Sequence, residues 1–136
     1  MEEIEDLTQE DDDEDEYLFV EVEEASCKPG QQVKGNVQWK FSDPAGKIEV
    51  RLLMEVVEKD ETHRSYASGL YWNNLPKEGI CNFSLTPPEG PYSFSGKGLQ
   101  IRWYVEANCV PLEFTDATEF TYSPTGLALT FSAENG

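Results

Sequence analysis

The sequence predicts an all-β protein, an antiparallel two-sheet sandwich of about seven to eight strands. Three observations carry this expectation. Apolar residues alternate with polar ones at period two, the spacing that gives a half-buried strand one wet and one dry face. Turn formers interrupt these runs about every 10–15 residues. Outside the alternating runs, no window longer than a turn or two places apolar residues at helical spacing.

The strands follow in chain order. Residues 17–23 put Leu18, Val20 and Val22 on one face. Lys28-Pro29-Gly30 then turns the chain into 33–41, where Val33, Val37, Trp39 and Phe41 point one way and Lys34, Asn36, Gln38 and Lys40 the other. Asp43-Pro44-Ala45-Gly46 separates this run from 48–58, with Ile48, Val50, Leu52, Met54 and Val56 in register. Leu53 and Val57 interrupt the polar face there, so this is read as a central strand covered partly on both sides. A weaker strand is expected at 64–72, closed by Asn73-Asn74. Beyond Lys77-Glu78-Gly79, residues 80–86 align Cys81, Phe83 and Leu85. The proline-rich turn Pro87-Pro88-Glu89-Gly90-Pro91 follows, and Ser95-Gly96-Lys97-Gly98 reads as a further turn. Residues 99–109 alternate most regularly: Leu99, Ile101, Trp103, Val105, Ala107 and Cys109 share a face. Weaker strands are expected at 114–122 and, after Pro124-Thr125-Gly126, at 127–132, with Leu127, Leu129 and Phe131 in register. Many short strands joined by such turns make an immunoglobulin-like sandwich.

Composition bounds the function. The chain has 136 residues, the size of one domain. Its 27 acids against 10 bases give a net charge of −17. Direct binding of nucleic acid by charge is excluded, because that needs Lys and Arg to neutralise phosphates. No run approaches the ~20 continuous apolar residues of a membrane helix, so no membrane insertion is expected. Eleven of the acids fall within residues 1–16, which hold no base. The run Asp11-Asp12-Asp13-Glu14-Asp15-Glu16 repels itself and lacks apolar anchors. Residues 1–16 are therefore expected to be a disordered acidic tail, and 17–136 the sandwich domain. The start has neither the basic and apolar regions of a secretory signal nor the Arg-rich character of a transit peptide. A cytoplasmic location is the default.

The chemistry-bearing residues are sparse. Cys27, Cys81 and Cys109 are too few and too widely spaced for a disulfide framework, so free thiols are expected. His63 is the only histidine, and neither a Gly-x-Ser-x-Gly elbow nor a phosphate loop is present. No catalytic residue, metal ligand or cofactor is assigned, and no enzyme activity is expected.

Three segments carry a family resemblance. Lys28-Pro29-Gly30-Gln31-Gln32-Val33-Lys34-Gly35-Asn36-Val37 resembles the PG-x-x-V-x-G-x-V element of arrestin-like domains. Here Pro29-Gly30 makes the turn, and Gly35 on the inner face permits close approach of a neighbouring chain. Asn82-Phe83-Ser84-Leu85-Thr86-Pro87 through Phe94-Ser95-Gly96 resembles the strand and proline-rich turn that follow in the family. Leu99-Gln100-Ile101-Arg102-Trp103-Tyr104-Val105-Glu106-Ala107 resembles the next strand, I-x-Y/W-x-V-x-A. The order agrees, and the match spans roughly residues 17–122. The resemblance is closest to the broad arrestin-like clan, which includes bacterial sporulation-control proteins and retromer-type sorting subunits. It implies an N-terminal-type sandwich that serves as an interaction domain without enzymatic activity. Family members typically pair two sandwiches, whereas this length holds one. The charged residues with which visual and beta-arrestins sense a phosphorylated receptor have no match, so receptor desensitisation is not implied.

The expected function is thus protein–protein interaction, an adaptor or scaffold that docks its partner on a sheet edge or face. The acidic residues Asp11, Asp12, Asp13, Glu14, Asp15 and Glu16 are candidates for tuning recognition of a basic partner by charge. Tyr66, Tyr71 and Trp72 form a candidate aromatic surface, with Trp72 at a strand end, while Trp39 and Trp103 belong to the core. Two alternatives stand beside this reading. One is a carbohydrate- or other ligand-binding sandwich, which would show exposed aromatics on one sheet face. The other is an acidic chaperone for basic proteins.

Overall fold

The structure, a computed structural model, describes residues 16–130. It is an all-β sandwich of two sheets, as the alternation predicts. Seven strands have six or more residues: β1 (Tyr17–Val22), β3 (Val33–Lys40), β4 (Gly46–Glu58), β5 (Glu61–Leu75), β6 (Glu78–Leu85), β8 (Leu99–Cys109) and β9 (Phe114–Tyr122). Three short ones complete the set: β2 (Ser26–Cys27), β7 (Phe94–Gly96) and β10 (Leu129–Thr130).

The small sheet has the order β1-β3-β6, antiparallel throughout. The large sheet runs β5-β4-β8, and the far edge of β8 is shared by β7 near its start and β9 near its end. β2 and β10 join β9 and β7 by short parallel pairings. The sheets meet so that β1 lies against β9 and β6 against β5.

The core is the set of inward positions that the alternation marks. Val37, Trp39, Ile48, Val50, Leu52, Trp103 and Val105 are fully buried, with Tyr122 beside them. Burying a side chain of this size removes it from water at about 1.5–3 kcal/mol each. The polar tips of the two tryptophans are satisfied. Trp39 Nε1 donates to the Pro76 carbonyl and Trp103 Nε1 to the Pro91 carbonyl, each at 2.9 Å. Gly35 on β3 is required by close approach: a Cβ there would stand 1.9 Å from the Glu21 carbonyl oxygen and 2.8 Å from Phe83 Cζ. The small sheet is therefore drawn tight around its central strand.

The large sheet is longer than the small one. β4 and β5 have 13 and 15 residues, against 6 to 8 in β1, β3 and β6. The β4–β5 hairpin consequently overhangs. His63, Val56, Ile101, Phe94 and Leu129 form one cross-strand row on the inner side. None of the five is buried, because the small sheet ends short of them.

Several expectations change in detail. Asn73 and Asn74 lie within β5 and not in a turn: they form a bulge opposite Lys47, between the pairs Leu75–Gly46 and Trp72–Ile48. The sequence Ser95-Gly96-Lys97-Gly98 is only half a turn: Phe94–Gly96 pairs with Leu99–Ile101, and Lys97-Gly98 alone reverses the chain. His63 is exposed and lies on β5. Leu127 is exposed and lies outside any strand, and the expected strand at 127–132 narrows to Leu129–Thr130 among the described residues. No helix among the described residues is long and apolar enough to cross a membrane.

Candidate functional site

The expected aromatic surface lies on β5, and its geometry is set by one irregularity. Near the hairpin tip, Leu53 on β4 faces Tyr66 on β5, while further along Arg51 faces Gly69 and Glu49 faces Tyr71. β5 thus carries one extra residue between Tyr66 and Gly69. Such a bulge shifts the side-chain alternation by one position. Tyr66 and Tyr71 are five apart and would otherwise face opposite ways; the bulge puts both on the outer face. Gly69 permits it: a Cβ there would be 2.8 Å from both Arg51 Cβ and the Val50 carbonyl oxygen.

Each tyrosine carries a cation from β4. The Arg51 guanidinium sits 3.6 Å from the Tyr66 ring centroid, and Lys47 Nζ lies 4.5 Å from that of Tyr71. Stacks of this kind contribute about 0.5–1 kcal/mol at exposed sites. Arg51 Nε also donates to Glu106 Oε1 at 3.1 Å, and Glu106 accepts from Asn108 Nδ2 at 3.0 Å. On the other side of Tyr66, Arg64 Nε donates to Glu55 Oε2 at 3.1 Å, and the Tyr104 hydroxyl reaches Glu55 Oε1 at 3.4 Å. Leu53 is in register with both Tyr66 and Tyr104 and is only 6% exposed, although it points to the outer face. The interruption of the polar face at Leu53 was the sequence signal for this covered spot.

Tyr66 and Tyr71 are 48% and 56% exposed. A shallow depression of about 260 Å³ lies between them over Gly69, lined also by Glu49 and Arg51. Trp72 departs from the expected cluster. It is paired with Ile48 on the inner face and packs partly buried against the core, so it does not join the tyrosines.

The acidic candidates divide. Asp11, Asp12, Asp13, Glu14 and Asp15 lie outside the described residues. Glu16 is the one described residue of the run, and its Oε2 accepts from the Ser42 backbone N–H at 2.7 Å. That hydrogen bond favours the charged carboxylate and holds its pKa below the ordinary glutamate value. The three cysteines are free thiols, and burial pushes each of them up in pKa, away from the reactive thiolate. Among the described residues, no group of three or more His, Cys, Asp or Glu side chains is placed to hold a metal ion.

The edges of the sheets differ. On one side of the sandwich, β1 is the outer strand of the small sheet, but the backbone groups of Val20 at its centre are engaged. Asp116 Oδ2 on β9 accepts from the Val20 N–H at 2.9 Å, and the Thr118 hydroxyl donates to the Val20 carbonyl. β9 is in turn flanked by β2. On the other side, β5 and β6 end their sheets with no further strand among the described residues. Ser65–Leu75 of β5 contains neither a charge nor a proline, nor does Gly79–Leu85 of β6. Charges, prolines and bulges are the usual means of blocking an edge; β5 lacks the first two here and carries bulges at 67–68 and 73–74.

No protein-family model matches this chain, and no curated protein sequence does. Among solved structures it is similar to the sporulation control protein Spo0M from Bacillus subtilis, with 22% identity and a TM-score of 0.57. The alignment covers 79% of this chain and 49% of that one, so the chain spans about half the length of Spo0M. A β-glucosidase from Listeria innocua in complex with isofagomine aligns at 13% identity and a TM-score of 0.46, over 85% of this chain and 17% of that one. The likeness to Spo0M shows the fold, a sandwich shared with a sporulation control protein.

Proposed function

We propose that this protein is a non-enzymatic interaction module of the arrestin-like kind, which docks a partner by adding an extended segment to the β5 edge. The observation that carries the reading is the β5 edge itself, eleven residues without charge or proline in a chain where 27% of residues are charged, interrupted only by the bulges at 67–68 and 73–74. An added strand gains main-chain hydrogen bonds along β5 and side-chain contacts on alternate residues. Tyr66 and Tyr71 flank it on the outer face, and half-buried Leu70 and Trp72 flank it on the inner face. The net charge of −17 favours a basic partner, with residues Asp11 to Glu16 raising the encounter rate.

The test places lysines on the edge at two exposed positions, Ser65→Lys and Asn73→Lys, and uses both forms of the full chain as baits in native extract at high salt. A protein held by the unmodified chain and lost from the double variant supports edge docking. Retention by both baits refutes it. Basic proteins held only at low salt would make charge alone the recognition element, as an acidic chaperone requires.

A second reading has one observation in its favour: two exposed tyrosines share one face around a shallow depression, as a carbohydrate-binding surface requires. It predicts that added glycans perturb the aromatic fluorescence of the unmodified chain and not of a Tyr66→Ala/Tyr71→Ala variant.

A further inference from the structure

We propose that β5 also pairs antiparallel with β5 of a second copy of this chain, so that a symmetric dimer covers the edge that the partner would use. The inference rests on the reading of β5 as the docking edge and adds its regulation. A strand can always meet its own copy about a two-fold axis, because an antiparallel pairing in which residue i faces residue j also brings j to i. What usually prevents this is charge, and here charge selects the place. Two copies each carrying −17 repel, and a stable contact must keep carboxylates apart. Ser65–Leu75 is the longest stretch of edge strand on which no acid of one copy faces an acid of the other.

The side chains agree with this occupant. Ser68, Leu70 and Trp72 alternate inward along β5 and are only half-buried, which leaves the core incompletely covered on this side. A second β5 laid alongside brings its own Leu70 and Trp72 against them, apolar against apolar. Tyr66, Gly69 and Tyr71 keep to the outer face, where the tyrosines already hold their cations and need no rearrangement. The β1 edge offers no equivalent, because Asp116 and Thr118 occupy the Val20 backbone groups. Pairing the two copies joins two large sheets into one continuous sheet across the dimer axis.

Dimer and docked partner exclude one another, since both need the same backbone groups of β5. Partner binding therefore draws from the monomer, and the apparent affinity falls as protein concentration rises.

Sedimentation equilibrium of the full chain over a concentration series from micromolar to near-millimolar, at high salt, tests the dimer without any partner. The expected result is a concentration-dependent shift from monomer to dimer. The Ser65→Lys/Asn73→Lys variant should stay monomeric at every concentration with an unchanged far-UV spectrum. A chain that stays monomeric throughout, or a dimer that persists in the variant, overturns the proposal. If the variant does not fold, backbone hydrogen exchange in the unmodified chain decides. Amides of 65–75 should exchange at least tenfold more slowly at high than at low concentration, and equal rates refute the pairing. A synthetic peptide of residues 64–75 provides the competing strand and should shift the chain back to monomer. Because none of these measurements involves the partner, loss of the dimer and loss of edge docking are separate outcomes.

Discussion

The two sides of this sandwich solve the same problem differently. On the β1/β9 side, the end strand of the small sheet has its outward Val20 groups bonded to Asp116 and Thr118, and β2 flanks β9. On the β5/β6 side, both sheets stop among the described residues, and their last strands carry no charge from Ser65 to Leu75 or from Gly79 to Leu85. An unpaired strand is a template for another chain. One side is built for stability, and the other leaves hydrogen-bonding capacity unused. The difference teaches where to look for binding: at the edge that the fold does not close.

Substitutions can separate the two sides. The largest effect should come from the tight packing behind β1. Gly35→Ala forces a methyl group against the Glu21 carbonyl and the Phe83 ring, and should cost about 3 kcal/mol in urea unfolding, at the upper end for overpacking. A loss below about 1 kcal/mol would mean that β1 gives way easily and the closed side is not rigid. Next, Asp116→Ala removes the acceptor of the Val20 N–H and should cost about 1–3 kcal/mol, as expected for a part-buried donor left without a partner. It should also speed hydrogen exchange at Val20. If neither stability nor exchange changes, the seal on β1 has no energetic weight and the contrast between the sides fails.

On the open side the same measurement should show little. Tyr71→Ala removes an exposed ring and its contact with Lys47, so unfolding should shift by no more than about 0.5–1 kcal/mol. A larger loss would place Tyr71 among the structural residues and weaken its assignment to the docking face. The smallest effect concerns Glu16, whose lowered pKa comes first from the backbone N–H of Ser42. The sign follows from linkage: a depressed carboxyl adds stability above its unfolded pKa and loses it as pH falls through the folded value. Its carboxyl signal in an NMR titration should move at a pH below the ordinary glutamate range, and Glu16→Gln should flatten that part of the acid unfolding profile. A midpoint at or above the ordinary value would show that the Ser42 contact does not hold.

Much of this architecture was legible from period-two alternation. Leu99 to Cys109 and Val33 to Phe41 came out in the expected faces because both are central strands, where one face is always dry. The Pro29-Gly30 turn and the close approach at Gly35 were equally readable, since few residue types satisfy either. β5 was less legible because it is an edge strand with most of its residues exposed, and exposure removes the contrast that alternation depends on. Its bulge hid the relation of Tyr66 to Tyr71, and the only sequence sign was Gly69 inside a strand. Trp72 was misplaced for the same reason: a strand assumed to end at 72 leaves its last side chain outside, whereas a strand continuing to Leu75 turns it toward Ile48.

The sequence by itself determined the fold class and the core, because these follow from residue types at fixed spacing along one chain. Only the tertiary structure decided which strands end the sheets, that Asp116 and Thr118 reach across some 96 to 98 residues of chain to close β1, and that one bulge aligns two tyrosines. The physical reason is that edges and register belong to pairs of strands. A single chain's periodicity states which side chains seek cover, while the identity of each strand's neighbour depends on how the whole set packs.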